Sequence, residues 1–321
     1  MIDIKNQLGL TLGKFEHDSL GEHYKGKVRD NFYDSDKIIM VTSDRVSAFD
    51  HVLGTIPFKG QILTEIANFW FEKTKHIAPN HIIDSPDPQV LIAKKAKTLP
   101  VEVIVRNYIT GSLWREYSNG INGQYGFMLP EGLKKDQKFE EVILTPSTKA
   151  EYGLHDEPIS RDQIVNGLVD EETYAKAEKY ALELFEEGKK WADRQGLILV
   201  DTKYEFGLVN GELIVIDEIH TPDSSRFWVK EEYENRFNSG QSQKMLDKEN
   251  IRQWLIEQGF SGEGAPPELS DEIRISLAEH YMELYKVLLG KDFVPMIGDV
   301  EKRVIDNLNN YGYSISVKAN V

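Results

Sequence analysis

LVDTKYEFGLVNGELIVIDE, residues 199–218, sets an apolar run on each side of Asn210-Gly211. Asn and Gly both accept positive φ, which a tight hairpin turn requires. The expected strands are 203–209 and 212–219. Asp201, Lys203 and Glu205 stand at alternate positions, so one strand face carries all three. Solvated surface charges would not need a lysine between two acids aimed the same way. Register decides where Asp217 goes. A two-residue loop pairs 205 with 216 and puts Glu205 and Asp217 on opposite faces. A three-residue loop with a bulge pairs 205 with 217 and puts both on one face. The apolar pattern accommodates either. Two carboxylates converging there would suit Mg2+, which takes oxygen ligands. A bulged turn is therefore the expectation if Glu205 and Asp217 share a metal.

The rest of the chain frames this hairpin. Residues 20–58 alternate short apolar runs with turn residues, as antiparallel strands do. Residues 61–76 have helical period, with Ile62, Ile66, Phe69 and Trp70 on one face. Strands resume through HIIDS, QVLIAKKA and PVEVIVRNYI. A long amphipathic helix follows a loop-rich stretch at 120–160. Its stripe is Tyr174, Ala177, Ala181, Leu184, Phe185 and Trp191, and Gly196 stops it. Beyond residue 245 the pattern is helical, broken by GFSGEGAPPELS. The expected plan is α+β: a β-rich lobe over 1–110, an α+β lobe over 111–321 and a ligand cleft between them.

Composition narrows the chemistry. The 321 residues carry a net charge of −15. Such a surface repels nucleic acid and anionic membrane unless a basic patch intervenes, and only short Lys pairs are present. No cysteine occurs, which removes disulfides, thiolate catalysis and Cys-ligated metals. No basic, apolar leader opens the chain, and no apolar run reaches the ~20 residues of a spanning helix. Neither a nucleic-acid nor a membrane partner is expected, and the setting is expected to be cytoplasmic. The oligomeric state stays open, a homo-oligomer included.

Asp-x-Lys-x-Glu with an Asp twelve residues further on resembles the metal and phosphate residues of protein kinases. The remaining kinase motifs, His-Arg-Asp and Asp-Phe-Gly, are absent. LPVEVIVRNYITGS (99–112), LVDTKYEFG (199–207) and DEIHTPDSSRFW (217–228) together resemble the SAICAR synthetase family. GKVRD (26–30), TSDRVSAFD (42–50) and TPSTKAEYGLHDEPIS (145–160) fit the same family, in order.

The resemblance implies a kinase-like β lobe, ATP with Mg2+, and ligation of carboxyaminoimidazole ribotide to L-aspartate. It makes Gly26, Lys27 and Arg29 the turn over the ATP phosphates. Lys97, Thr98 and Leu99 become a lobe-connecting hinge beside adenine. Glu205 and Asp217 hold the metal on the ATP phosphates, and Lys203 supplies fixed positive charge. Asp201 is the candidate base for the aspartate amine, with His155 and Asp156 second. Arg106, Gly111, Ser112, Ser225 and Arg226 meet the ribotide. Asp44, Arg45, Ser47 and Asp50 line the cleft, with Asp44 and Ser47 on substrate. Glu102 shares a strand face with Arg106, with either metal or substrate as its partner. Lys149 lies in a polar loop. A small-molecule kinase using the same Mg-ATP cleft is the alternative reading, and a catalytically inert nucleotide-binding module the third.

Overall fold

The computed structural model describes residues 3–48, 51–149, 156–245, 249–260 and 262–315. Chain order runs β1 (Glu22–Lys25), β2 (Arg29–Asp34), β3 (Lys37–Thr42), β4 (Arg45–Ala48), β5 (His51–Thr55), α1 (Lys59–Thr74), β6 (Ile82–Asp87), β7 (Val90–Lys94) and β8 (Lys97–Tyr108). It continues with α2 (Gly111–Ser118), β9 (Lys138–Leu144), β10 (Ser147–Thr148), α3 (Arg161–Gly167), α4 (Glu171–Arg194), β11 (Leu197–Val209), β12 (Glu212–Ile216) and β13 (Ser225–Val229). Helices α5 (Lys230–Asn238), α6 (Glu249–Glu257), α7 (Asp271–Leu289) and α8 (Val300–Tyr311) close it. The α+β class is as expected.

The contacts form two compact units, one of residues 1–69, 81–95 and 247–321, the other of residues 70–80 and 96–246. The expected boundary at residue 110 therefore moves, for two reasons. Strand β8 pairs along β11, from Leu208↔Lys97 to Asp201↔Arg106, and so belongs to the second unit. The C-terminal segment joins the first unit instead of the second. There α8 buries Val300, Val304, Ile305 and Leu308 in one core with Phe15, Phe32, Ile39, Val41, Val90 and Ile92.

In the first unit an antiparallel sheet runs β1-β2-β3-β7-β6, and β4-β5 form a separate hairpin. In the second, β8 and β11 are the inner strands of β10-β8-β11-β12, with β9 also on β8 and β13 also on β11. Helix α4 packs on β11 and β8. Asp170 caps it, accepting from the Thr173 N–H at 2.9 Å. Its expected stripe is buried at Tyr174, Ala177, Ala181, Leu184 and Phe185, while Trp191 is half-buried. The helix also needs Gly188. A Cβ there would lie 2.6 Å from the His220 ring and 2.7 Å from Leu199.

The opening hairpin has the simple turn, against the bulged one expected for a shared metal. Val209 pairs with Glu212 and Glu205 with Ile216. Asn210 and Gly211 both have positive φ, 52° and 83°. The irregularity lies on the other edge of β11, between Glu205 and Gly207 against β8. Strand β12 ends one residue before Asp217, whose own φ is 66°. Asp217 thus leaves the pleat, and strand alternation no longer dictates where its carboxylate lies.

Candidate active site

The face of β11 that carries Asp201, Lys203 and Glu205 meets Glu102 and Arg106 of β8. Glu205 pairs directly with Glu102. Like charges so placed repel. Lys203 resolves this by standing between them, its Nζ 2.7 Å from Glu102 Oε1 and 2.6 Å from Glu205 Oε1. Lys149 donates to the other Glu205 oxygen, and Ser147 Oγ to Glu102 Oε2 at 3.4 Å.

The electrostatics follow from that geometry. Burial alone would lower the Lys203 pKa, but Glu205, Glu102 and Asp217 together hold it well above the usual lysine value. Burial would raise Glu205, yet Lys203 and Lys149 bring it down to about 2. Glu102 is raised by burial, with Lys203 opposing and Glu205 adding to the rise. Asp217 acts on the same ammonium as Glu205 despite the two-residue turn, because it lies beyond the end of β12.

A second cluster lies further along the same two strands. Asp201 Oδ2 accepts from Arg106 Nη1 at 2.8 Å and from Arg226 Nη1 at 2.7 Å. Arg106 also donates to Thr145 Oγ1 at 2.8 Å and to Ser112 Oγ at 3.3 Å. Gly111 lets Arg226 approach: its φ is 58°, and a Cβ would sit 2.3 Å from both terminal nitrogens of that guanidinium. Two guanidiniums held on one carboxylate make a preset grip for a phosphate or carboxylate.

Other expected residues land differently. Ser225 is paired with Thr202, not Asp201, and its hydroxyl lies 2.6 Å from Thr202 Oγ1. Alternation along β13 therefore turns it to the face opposite Arg226. Lys97, Thr98 and Leu99 open β8 as a paired strand, with Thr98 on Gly207, just after the chain passes from the first unit to the second at residues 95–96. Asp44 has no exposed surface. It accepts the N–H groups of Leu12 at 2.8 Å and Gly60 at 2.9 Å, and burial pushes it up to about 6. Its carboxylate joins three chain segments. Arg45 is likewise buried, whereas Ser47 is half-buried in β4. Gly26 N–H donates to Arg29 O at 2.8 Å, closing the expected phosphate turn, and Lys27 is exposed on it. Asp156 is exposed; Asp50 and His155 lie outside the described residues.

Thr145, Ser147 and Lys149 were missed as contributors to these clusters. Their signal was the alternate spacing in TPSTK, which puts three polar side chains on one extended face.

Among the described residues, no three of His, Asp and Glu gather as a complete metal cage. Mg2+ asks for less, since it uses one or two carboxylates together with substrate phosphates and water. Glu205 and Asp217 fit that demand, and the Lys149 ammonium on Glu205 shows that the position draws a cation.

The SAICAR synthetase family model matches residues 22–267. A phosphoribosylaminoimidazole-succinocarboxamide synthase of Bacteroides fragilis is 49% identical over 290 residues, covering 89% of this chain and 92% of its own. That of Cytophaga hutchinsonii is 47% identical over 300 residues, covering 92% and 96%. A solved SAICAR synthase of Saccharomyces cerevisiae, complexed with SAICAR, superposes with a TM-score of 0.78 at 34% identity, over 88% of this chain and 99% of its own. A SAICAR synthetase solved with ADP gives 0.64 at 28%, over 85% and 100%. The family model and these relatives agree across most of the sequence: the chain belongs to the SAICAR synthetase family.

Proposed function

We propose that the protein joins carboxyaminoimidazole ribotide to L-aspartate with ATP, releasing SAICAR, ADP and phosphate. The observation that carries this reading is the β11 face itself. A fixed ammonium between two carboxylates lies on the same face as a carboxylate holding two guanidiniums.

Amide formation from a carboxylate needs one of its oxygens made into a leaving group. Attack of the ribotide carboxylate on the γ-phosphorus of ATP forms the O–P bond of an acyl phosphate and releases ADP. The aspartate amine then attacks the acyl carbon, and phosphate leaves with that oxygen. Lys203 stays protonated and supplies fixed positive charge where phosphoryl charge develops. Mg2+, when bound by Glu205 and Asp217, would neutralise the phosphate oxygens. Arg106 and Arg226 orient the ribotide phosphate. On the first unit, Gly26, Lys27 and Arg29 take nucleotide phosphates. The amine must lose a proton before attack. Both guanidiniums donate to Asp201 Oδ2, which supports assigning Asp201 their positioning in place of the base role. Asp156 remains as a candidate base among the described residues.

Asp217→Asn tests the metal assignment. Turnover should fall about 10²–10³-fold, with a raised Mg2+ requirement in a titration. Normal Mg2+ dependence would remove Asp217 from that role. Label from an ¹⁸O-carboxylate ribotide should emerge in the released phosphate; unlabelled phosphate would eliminate the acyl-phosphate route.

A further inference from the structure

Arg45 has no part in the chemistry above, yet all three of its guanidinium nitrogens are engaged. It is 3% exposed. Its Nε donates to Lys27 O and its Nη2 to Gly26 O, both at 3.0 Å. Its Nη1 donates to Asp30 Oδ2 at 2.8 Å and to Gly13 O at 3.0 Å. The next carbonyl, Val28 O, accepts from Ser43 N at 2.9 Å and Ser43 Oγ at 2.8 Å. Three successive carbonyls of the turn are thus drawn onto buried donors.

The planarity of the trans peptide gives this a consequence. C=O and N–H of one peptide unit point in opposite directions. The Gly26 carbonyl shares its unit with the Lys27 N–H, and the Lys27 carbonyl with the Val28 N–H. Since both carbonyls accept from one guanidinium, both N–H groups lie on the side away from it. Two successive N–H groups on one side of a turn offer an anion a pair of donors. Asp30 balances the Arg45 charge internally, so what the guanidinium contributes is orientation. Lysine could not replace it, because a single ammonium lacks the planar fork that reaches four acceptors.

We propose that Arg45 is the positioning residue of the nucleotide-phosphate turn, presetting the Lys27 and Val28 amides to receive phosphate oxygens. This rests on the ATP reading of residues 26–29. In Arg45→Lys, KM for ATP should rise about tenfold or more. KM for the ribotide and for aspartate should hold, and kcat should change less than KM for ATP. A folded variant with unaltered KM for ATP overturns the proposal. Because Arg45 is buried on Asp30, the wild-type protein supplies a second readout. Titration with ADP, and separately with inorganic pyrophosphate, should shift the Lys27 and Val28 amide resonances most. ADP binding by calorimetry without movement of those two resonances overturns the proposal and leaves the nucleotide reading standing. Absence of ADP binding removes both.

Discussion

Lys203 shows how a single residue settles a conflict set up by strand pairing. Glu102 and Glu205 face each other across β8 and β11, and the ammonium bridges them. Its raised pKa keeps it charged at every physiological pH, so it serves as fixed charge and not as a proton carrier. Lys203→Met should lower turnover about 10²–10³-fold. It should also change the pH dependence of stability. Glu102 has its pKa raised by burial even with Lys203 opposing, and losing that ammonium raises it further. A carboxyl whose folded pKa exceeds its unfolded one favours the fold at low pH and loses that contribution as pH rises. The deficit of Lys203→Met against wild type should therefore be largest above pH 7 and shrink towards pH 4.5. Paired thermal melts at the two pH values check this, and a pH-independent gap would contradict it.

At the scale of elements, α4 must approach the loop after β12 closely. Tyr204 OH lies 2.5 Å from His220 Nε2, tying β11 to that loop three residues beyond Asp217. Burial brings the His220 pKa down to about 3, so the imidazole stays neutral and the link does not titrate near pH 7. Gly188 makes room for this ring. In an isolated helix Gly188→Ala would gain about 1 kcal/mol of propensity. Here the new methyl meets His220 and Leu199 well inside van der Waals contact, and overpacking costs about 1–3 kcal/mol. Packing should win, giving a net loss of up to about 2 kcal/mol in urea denaturation. A variant more stable than wild type would show that the ring can move aside. The α4 stripe and the Asn210-Gly211 turn were legible because both are local. The route of Asp217 was not, because positive φ at a non-glycine residue leaves little trace in sequence.

At the scale of the whole molecule, neither unit is a continuous stretch of chain. Residues 250–321 carried no motif, yet α8 completes the core of the first unit. It also brings Arg303 and Asn307 to the buried Asp87, at 3.0 and 2.7 Å. Deleting residues 299–321 would expose the partners of four buried apolar side chains, each worth roughly 1.5–3 kcal/mol. That sum is comparable to the total stability of an ordinary domain, about 5–15 kcal/mol. The truncated chain should lose cooperative melting of its first unit by circular dichroism. An unchanged melting curve would mean that α8 is dispensable.

The amino-acid order by itself determined what depends on near neighbours. It put Asp201, Lys203 and Glu205 on one strand face and Glu102 with Arg106 on another. It marked the helical stripe of α4, the turn at 210–211 and the family motifs. Tertiary structure alone decided which charges meet. Lys203 bridges to Glu102 across 101 positions, and Arg106 reaches Asp201 across 95. It also made Asp44 a buried acceptor of backbone N–H groups and Asp201 the shared holder of two arginines. Backbone periodicity acts over a few residues. Burial and charge pairing depend on which distant strands the core brings together, and only the assembled sheet specifies that.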